Sequence, residues 1–429
     1  MAEKKISKRR SVIVAAIALI AIVAVAGGVY YFYSTQPQEK TELIVGVSLP
    51  ITGSMALNSE ERKMGLSIWL DDVNSRGGIL GRLVRIIYYD DEGKVEKIPS
   101  NLERLITVDH AEIVFGGIST GLAYATLSIA EKYKMPLIHG AFSTKVYGAG
   151  YEYCFCVSPG LTADMAYGFM EMLSKVATDR PKTIGILGRA DAWGIEISEF
   201  AKFYAADLGF KVTYTETFPA GTSDFTPMLL KAKAANPDAF MMISYDPDGA
   251  VCTRQMREVD WSPKAYFMDT GPQLPAWRTT LGADGDYVCD SLLWTPNAPE
   301  ARYPGTADFN SKFLAKYGRE AATQASNSYT TAQIMEQAVI KAGSTDGEKV
   351  RAALLNTNFT TLRGTYRFGP RMVNTTFGQV ECKYVNLDFR YGLFQIQNRT
   401  IVPIYPPEII DAYPDKGQLI YPIPTWSDR

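Results

Sequence analysis

The sequence predicts an α/β protein: two doubly wound parallel-sheet lobes, preceded by one transmembrane helix. Three observations carry this expectation. Near-continuous apolar runs alternate with helical patterns roughly every twenty to thirty residues, as strands buried on both faces by crossover helices require. These runs are too numerous for one small sheet, and 429 residues exceed what a single core usually serves. At the amino terminus a basic stub (Lys4, Lys5, Lys8, Arg9, Arg10) precedes an uncharged apolar run from Val12 to Tyr33.

That run comes first in the chain. Its 22 residues, rising about 1.5 Å each, span roughly 33 Å as a helix, enough to cross a bilayer. The cations keep residues 1–11 in the cytoplasm, which puts the body on the extracytoplasmic face of the cell membrane. Tyr30, Tyr31, Phe32 and Tyr33 form an interfacial aromatic belt, and residues 34–41 make a polar linker. A cleaved signal peptide is the alternative, because Ala24-Val25-Ala26 fits a processing site. The apolar run continues past that site, which favours a retained anchor.

In the body, Leu43–Leu49 reads as a buried strand that runs into the turn Pro50–Asn58. A long helix follows, then a double-glycine stop at Gly77-Gly78 and a second strand closing on Asp90-Asp91-Glu92, which completes a βαβ unit. Further strands are expected at 112–116, 135–140, 183–188, 210–216, 239–245 and 264–269, with helices at 121–134, 194–208, 224–235 and 247–258. The run 153–159 sits midway as a crossover between lobes. After a strand at 287–294 come helical stretches at 306–317, 321–342 and 347–355, then strands broken by turns at 365–370, 380–389 and 393–407.

Composition narrows the function. A net charge of −2 and no basic stripe in the body leave no field for nucleic acid. There is no G-x-G-x-x-G, Walker A, H-E-x-x-H or paired Cys/His cluster, so no metal or cofactor is expected. Gly117-Ile118-Ser119-Thr120-Gly121 matches the nucleophile elbow G-x-S-x-G in its strand–turn–helix setting, which keeps a serine hydrolase as an alternative. A triad needs an acid and then a histidine downstream; the chain has two histidines, and only His139 follows Ser119. Cys154 and Cys156 alternate on one strand and share a face, so they do not bridge each other; Cys252, Cys289 and Cys382 read as buried thiols, with one bridge among them as the alternative.

The string GVSLPITG, the helix ending in DVNSRGGILGR, the strand closing on YDDE and the later VPIYPP resemble the leucine/isoleucine/valine-binding protein family. These are ABC-transporter solute-binding proteins of the type I periplasmic-binding fold, and the resemblance covers roughly residues 43–410. It implies three hinge crossovers, at Val157–Pro159, Leu293–Pro296 and Arg363–Phe368. The lobes are then 42–158 plus 295–365 and 159–294 plus 366–411, with a tail at 412–429.

Every candidate site lies just past a strand. In the first lobe the loops 116–121 and 139–144 offer glycines, hydroxyls and a helix amino terminus suited to a carboxylate. The resemblance assigns the ligand carboxylate to Thr120, Ala141 and Ser143, with Ser119 and Phe142 beside them and Asn58 over the ligand where relatives often carry Tyr. In the second lobe it implies an aromatic wall at Trp193, Tyr245 against the ligand ammonium, and a carboxylate partner in Asp269 with Asp246 as rival. Capping of helices is the plainer role for the hydroxyls. The expected function is capture of an amino acid or related small polar ligand by hinge closure, without catalysis, for delivery to an ABC permease in the membrane. A sensory ectodomain for amides or small carboxylates is the alternative, weakened by a cytoplasmic stub too short to signal.

Overall fold

A strand buried along its whole length must be covered on both faces, and the apolar runs of this chain obey that rule. The computed structural model describes residues 42–429 apart from 159, 177–178 and 389–390, together with 23, 24 and 27. The expected anchor Val12–Tyr33 falls almost wholly outside the described residues, as does Pro159 of the first hinge. Among the described residues no helix is long and apolar enough to cross a membrane.

The first sheet has the order β2-β1-β3, with β1 at Glu42–Leu49, β2 at Leu83–Asp90 and β3 at Ile113–Phe115. β1 and β3 run parallel, Val45 opposite Ile113. β4 (Leu137–His139) and β5 (Cys154–Cys156) form a parallel pair alongside β3. The second sheet has seven strands in the order β16-β15-β10-β9-β8-β6-β7. Five of them are parallel: β6 (Thr183–Arg189), β7 (Lys211–Phe218), β8 (Ala239–Ile243), β9 (Ala265–Asp269) and β10 (Val288–Leu292). The hairpin of β15 (Gly392–Gln397) and β16 (Thr400–Tyr405) adds antiparallel strands at the edge.

Helices α1 (Ala56–Ser75), α2 (Lys97–Thr107), α3 (Thr120–Tyr133) and the single turn α4 (Thr144–Tyr147) belong to the first half. The crossovers of the second sheet are α5 (Thr162–Val176), α6 (Ala192–Asp207), α7 (Thr226–Ala235), α8 (Asp246–Glu258) and α9 (Pro275–Leu281). The chain then returns through α10 (Thr306–Tyr317), α11 (Thr323–Ala342) and α12 (Gly347–Leu355). α11 packs along α1, and Gly65 makes that approach close: a Cβ there would stand 2.1 Å from the Ala325 carbonyl oxygen.

After β11 (Phe359–Thr361), the segment Arg363–Phe368 leads through its antiparallel partner β12 (Gly364–Tyr366) into a hairpin, β13 (Phe368–Thr375) with β14 (Gly378–Asn386), before the chain passes to β15. That hairpin packs on α4 and β5: Tyr384 stacks on Phe155 at 4.9 Å between ring centroids. The expected third hinge segment therefore opens a hairpin held to the first half of the chain. All five cysteines are buried and free, which removes the alternative of a bridge among Cys252, Cys289 and Cys382.

Candidate functional site

In a doubly wound sheet, adjacent strands whose crossover helices leave on opposite faces open a crevice at their carboxyl ends. The first sheet has that switch point between β1 and β3, the second between β6 and β8. The loops after these strands line one partly open cavity of about 50 Å³. By this measure one water needs about 10–15 Å³, so the space suits a small ligand.

One wall comes from the first sheet and α11: Asn58 and Arg62 on α1, Ser119 at the start of α3, Gly140 and Phe142 after β4, and Thr323, Gln324 and Asn327 on α11. Asn58 and Arg62 stand four residues apart, one turn on the same helix face. Arg62 Nη1 donates to Asn327 Oδ1 at 2.7 Å, and its Nε has no hydrogen-bond partner. Burial lowers the guanidinium to about 10, with the nearby cation of Arg363 acting in the same direction. Gly140 must lack a side chain here, because a Cβ would come within 2.8 Å of Arg62 Nη1 and 2.7 Å of Asn327 Oδ1. Ser119 is the N-cap of α3, yet its hydroxyl bonds no helix amide.

The facing wall comes from the second sheet. Trp193, in the first turn of α6, stacks on Tyr245 with ring centroids 4.9 Å apart. The Arg189 guanidinium lies 4.8 Å from the centre of the same Tyr245 ring and pairs with Asp248 at 3.1 Å. Its Nη2 also reaches the loop after β1, donating to Ser54 Oγ at 3.1 Å. Asp269, at the end of β9, is wholly buried and lines the cavity. It accepts a hydrogen bond from Ser291 Oγ at 3.1 Å, and its Oδ2 has no partner. Beside it Asp290 accepts from Gln273 Nε2 at 3.2 Å. Burial raises both carboxyls, and the charge of Asp269 raises Asp290 further, so the pair retains a proton. Thr270, next along, holds a left-handed φ of 68°, a conformation a β-branched residue seldom adopts.

Six of the expected residues therefore lie on this cavity: Asn58, Ser119, Phe142, Trp193, Tyr245 and Asp269. The others lie elsewhere. Thr120, its hydroxyl buried and unpartnered, faces a separate outer groove of about 870 Å³ with Tyr124, Glu196 and Phe377. The Ala141 carbonyl accepts from Tyr147 Oη at 3.0 Å, inside the first-half core. Ser143 caps α4, accepting from the Val146 amide at 3.1 Å and donating to Glu196 Oε2 at 2.8 Å. Asp246 opens α8 away from the cavity, its carboxyl pushed up to about 6 by burial. Among the described residues Ser119 has no hydrogen bond to a histidine: His139 Nε2 is bonded to Thr126 Oγ1 at 2.7 Å, and burial holds the ring at about 4. Sequence reasoning missed Arg62, Gln273, Gln324 and Asn327. None of them carried a local signal that sets it apart from the other polar residues around it.

A model of the periplasmic binding protein family matches residues 42–381. The Leu/Ile/Val-binding protein homolog 7 of Brucella melitensis is 24% identical over 323 residues, covering 73% of this chain and 80% of that protein. Homolog 8 of Brucella abortus is 28% identical over 287 residues, 64% of this chain and 70% of that one. Among solved structures, the leucine-binding protein LivK of Thermotoga maritima superposes with a TM-score of 0.71 at 20% identity, over 85% of this chain and 98% of that one. LivJ of Streptococcus pneumoniae, in complex with isoleucine, gives 0.72 at 18% identity over 84% and 97%. A solute-binding protein of R. palustris, in complex with benzoate, gives 0.73 at 18% identity over 88% and 99%.

Proposed function

The chain belongs to the periplasmic binding protein family, and we propose that it is the extracytoplasmic solute-binding component of an ABC importer, capturing an amino acid or related small polar ligand between two lobes. One observation carries this reading: a single cavity collects the switch-point loops of both sheets, with a cation on one wall and a carboxylate on the other. A zwitterion that bridges such walls favours the closed arrangement over the open one by its contacts to both. The work of the site is then closure about a hinge, with no bond made or broken.

In this reading the first lobe is 42–158 with 295–365 and the second 159–294 with 366–411. The hairpin β13–β14 is the exception, since its packing on α4 and β5 makes it travel with the first lobe. Residues 12–33 tether the protein to the membrane beside its permease, and residues 34–41 give it reach. The test is calorimetry of a Gln36–Arg429 fragment against amino acids, amides, short peptides and aromatic acids, with small-angle scattering alongside. One-to-one binding with compaction is expected; a ligand that binds with no compaction would sink the closure mechanism.

A further inference from the structure

Asn58, Arg62 and Asn327 approach the cavity from two helices, and Arg62 is the only cationic side chain on the lining among the described residues. No carboxylate among the described residues pairs with it. Its one side-chain partner is the neutral Asn327 Oδ1, at 2.7 Å, and its Nε has none. Behind it Arg363 is buried with all three side-chain nitrogens unpartnered, so the positive charge of this wall is uncompensated. A desolvated guanidinium is costly unless an anion meets it with good geometry. Two long helices add to the field: α3 and α11 both begin at the cavity, and helix amino termini favour negative charge. Meanwhile neither Thr120 nor Ser143 lines the cavity, and the Ser143 hydroxyl is engaged by Glu196 and the Val146 amide.

We propose that Arg62 is the specificity-determining residue of this site, taking the carboxylate of a small ligand on its two-pronged guanidinium. Asn327 holds the fork in place, and Gly140 clears the space in front of it. The ligand amino group faces Asp269 across the cavity. The ligand class is therefore small carboxylates, amino acids foremost; carboxamides and ureas, which cannot engage a guanidinium fork as an anion does, are rejected. This inference rests on the solute-binding reading and narrows it.

The experiment is isothermal titration of the full-length protein in detergent with the common amino acids, their carboxamides and the matching des-amino acids. Wild type is expected to bind at least one free amino acid about 30-fold or more tightly than its amide, the scale of a buried charge pair losing one partner. Arg62→Gln should abolish that preference, weakening the acid and leaving the amide nearly unchanged. A purely structural role would weaken acid and amide alike in the variant, and that result overturns the proposal. Amide and acid binding wild type equally also overturns it, while solute binding stands, and this comparison holds even where the variant fails to fold. If no compound of the three sets binds wild type, this proposal falls, and the solute-binding reading is decided by the wider ligand set above.

Discussion

Glu196 ties the two halves of the site together, and removing its side chain should loosen ligand binding without touching the ligand. The residue lies on α6, buried, and its two oxygens accept from Ser143 Oγ at 2.8 Å and from the Lys145 backbone amide at 2.9 Å. Both donors belong to the segment after β4, so these bonds exist only while the segment faces α6. Hydrogen bonds to a charged group contribute about 1.5–3 kcal/mol each. Glu196→Ala deletes two, but Lys145 and residue 196 itself border the outer groove, where water can replace part of the loss. A net cost near that of one bond follows, about 1.5–3 kcal/mol, or roughly 10- to 150-fold in affinity if binding requires closure. Glu196→Gln keeps an acceptor for Lys145 and a donor for Ser143, so its loss should stay within about 5-fold. Burial raises the Glu196 carboxyl, with its hydrogen bonds only partly opposing. A carboxyl raised in the closed state contributes most below its ordinary value of about 4.3, and that contribution fades as pH rises through the raised value. The ratio of wild-type to Glu196→Gln affinity should therefore increase on acidification. Calorimetry with an amino acid that binds wild type, at several pH values, measures both effects. Unchanged affinity in Glu196→Ala, together with a lowered melting temperature, would show a contact that serves folding alone and would refute the latch.

Asp290→Asn should stabilise the protein at pH 8 and reduce a pH dependence. Asp269 and Asp290 are raised by burial, so the stability they contribute is complete below the unfolded value of about 3.9 and is lost as pH rises through the raised values. Urea denaturation should show wild type weakening from pH 5 to pH 8 by up to about 1.4 kcal/mol per unit per proton released, and the variant weakening less, because Asp269 alone still titrates there; equal slopes would contradict the shared proton. Gly140→Ala should push the Arg62–Asn327 pair out of place, costing about 1–3 kcal/mol in strain and at least about 10-fold in amino-acid affinity. Wild-type binding by that variant would mean the loop yields freely. The five thiols should resist Ellman's reagent in the native protein and all react in guanidinium, since burial raises each, Cys156 and Cys382 to about 12. Fewer than five reactive thiols after denaturation without reductant would reveal a disulfide.

The central strands of this chain were readable because each is a short apolar run with turn residues at its end, and burial on both faces leaves few polar positions to blur the pattern. α10 and α12 could be bounded to the residue for the converse reason, their faces being divided between polar and apolar. Helix α5, Thr162–Val176, went unread although its polar and apolar residues divide between faces at least as clearly as those of α10 and α12. The site divides along the same line. A loop residue next to a strand end, such as Ser119, Tyr245 or Asp269, is placed by the strand itself. Thr120 is one residue from Ser119, but a helix turns successive side chains about 100° apart, which takes Thr120 off the cavity, and its hydroxyl is buried. Ser143 and Glu196 show the second limit, since a hydroxyl at a helix start satisfies that helix first and a neighbouring carboxylate next. Arg62 shows the third. Nothing local distinguishes it from the solvent-facing Arg and Lys of any amphipathic helix; it becomes a site residue only because α11, more than 250 residues later, lies against Gly65 and brings Asn327 to it. Loop chemistry is local and can be read from the chain, whereas a buried charge acquires its meaning from the element that buries it.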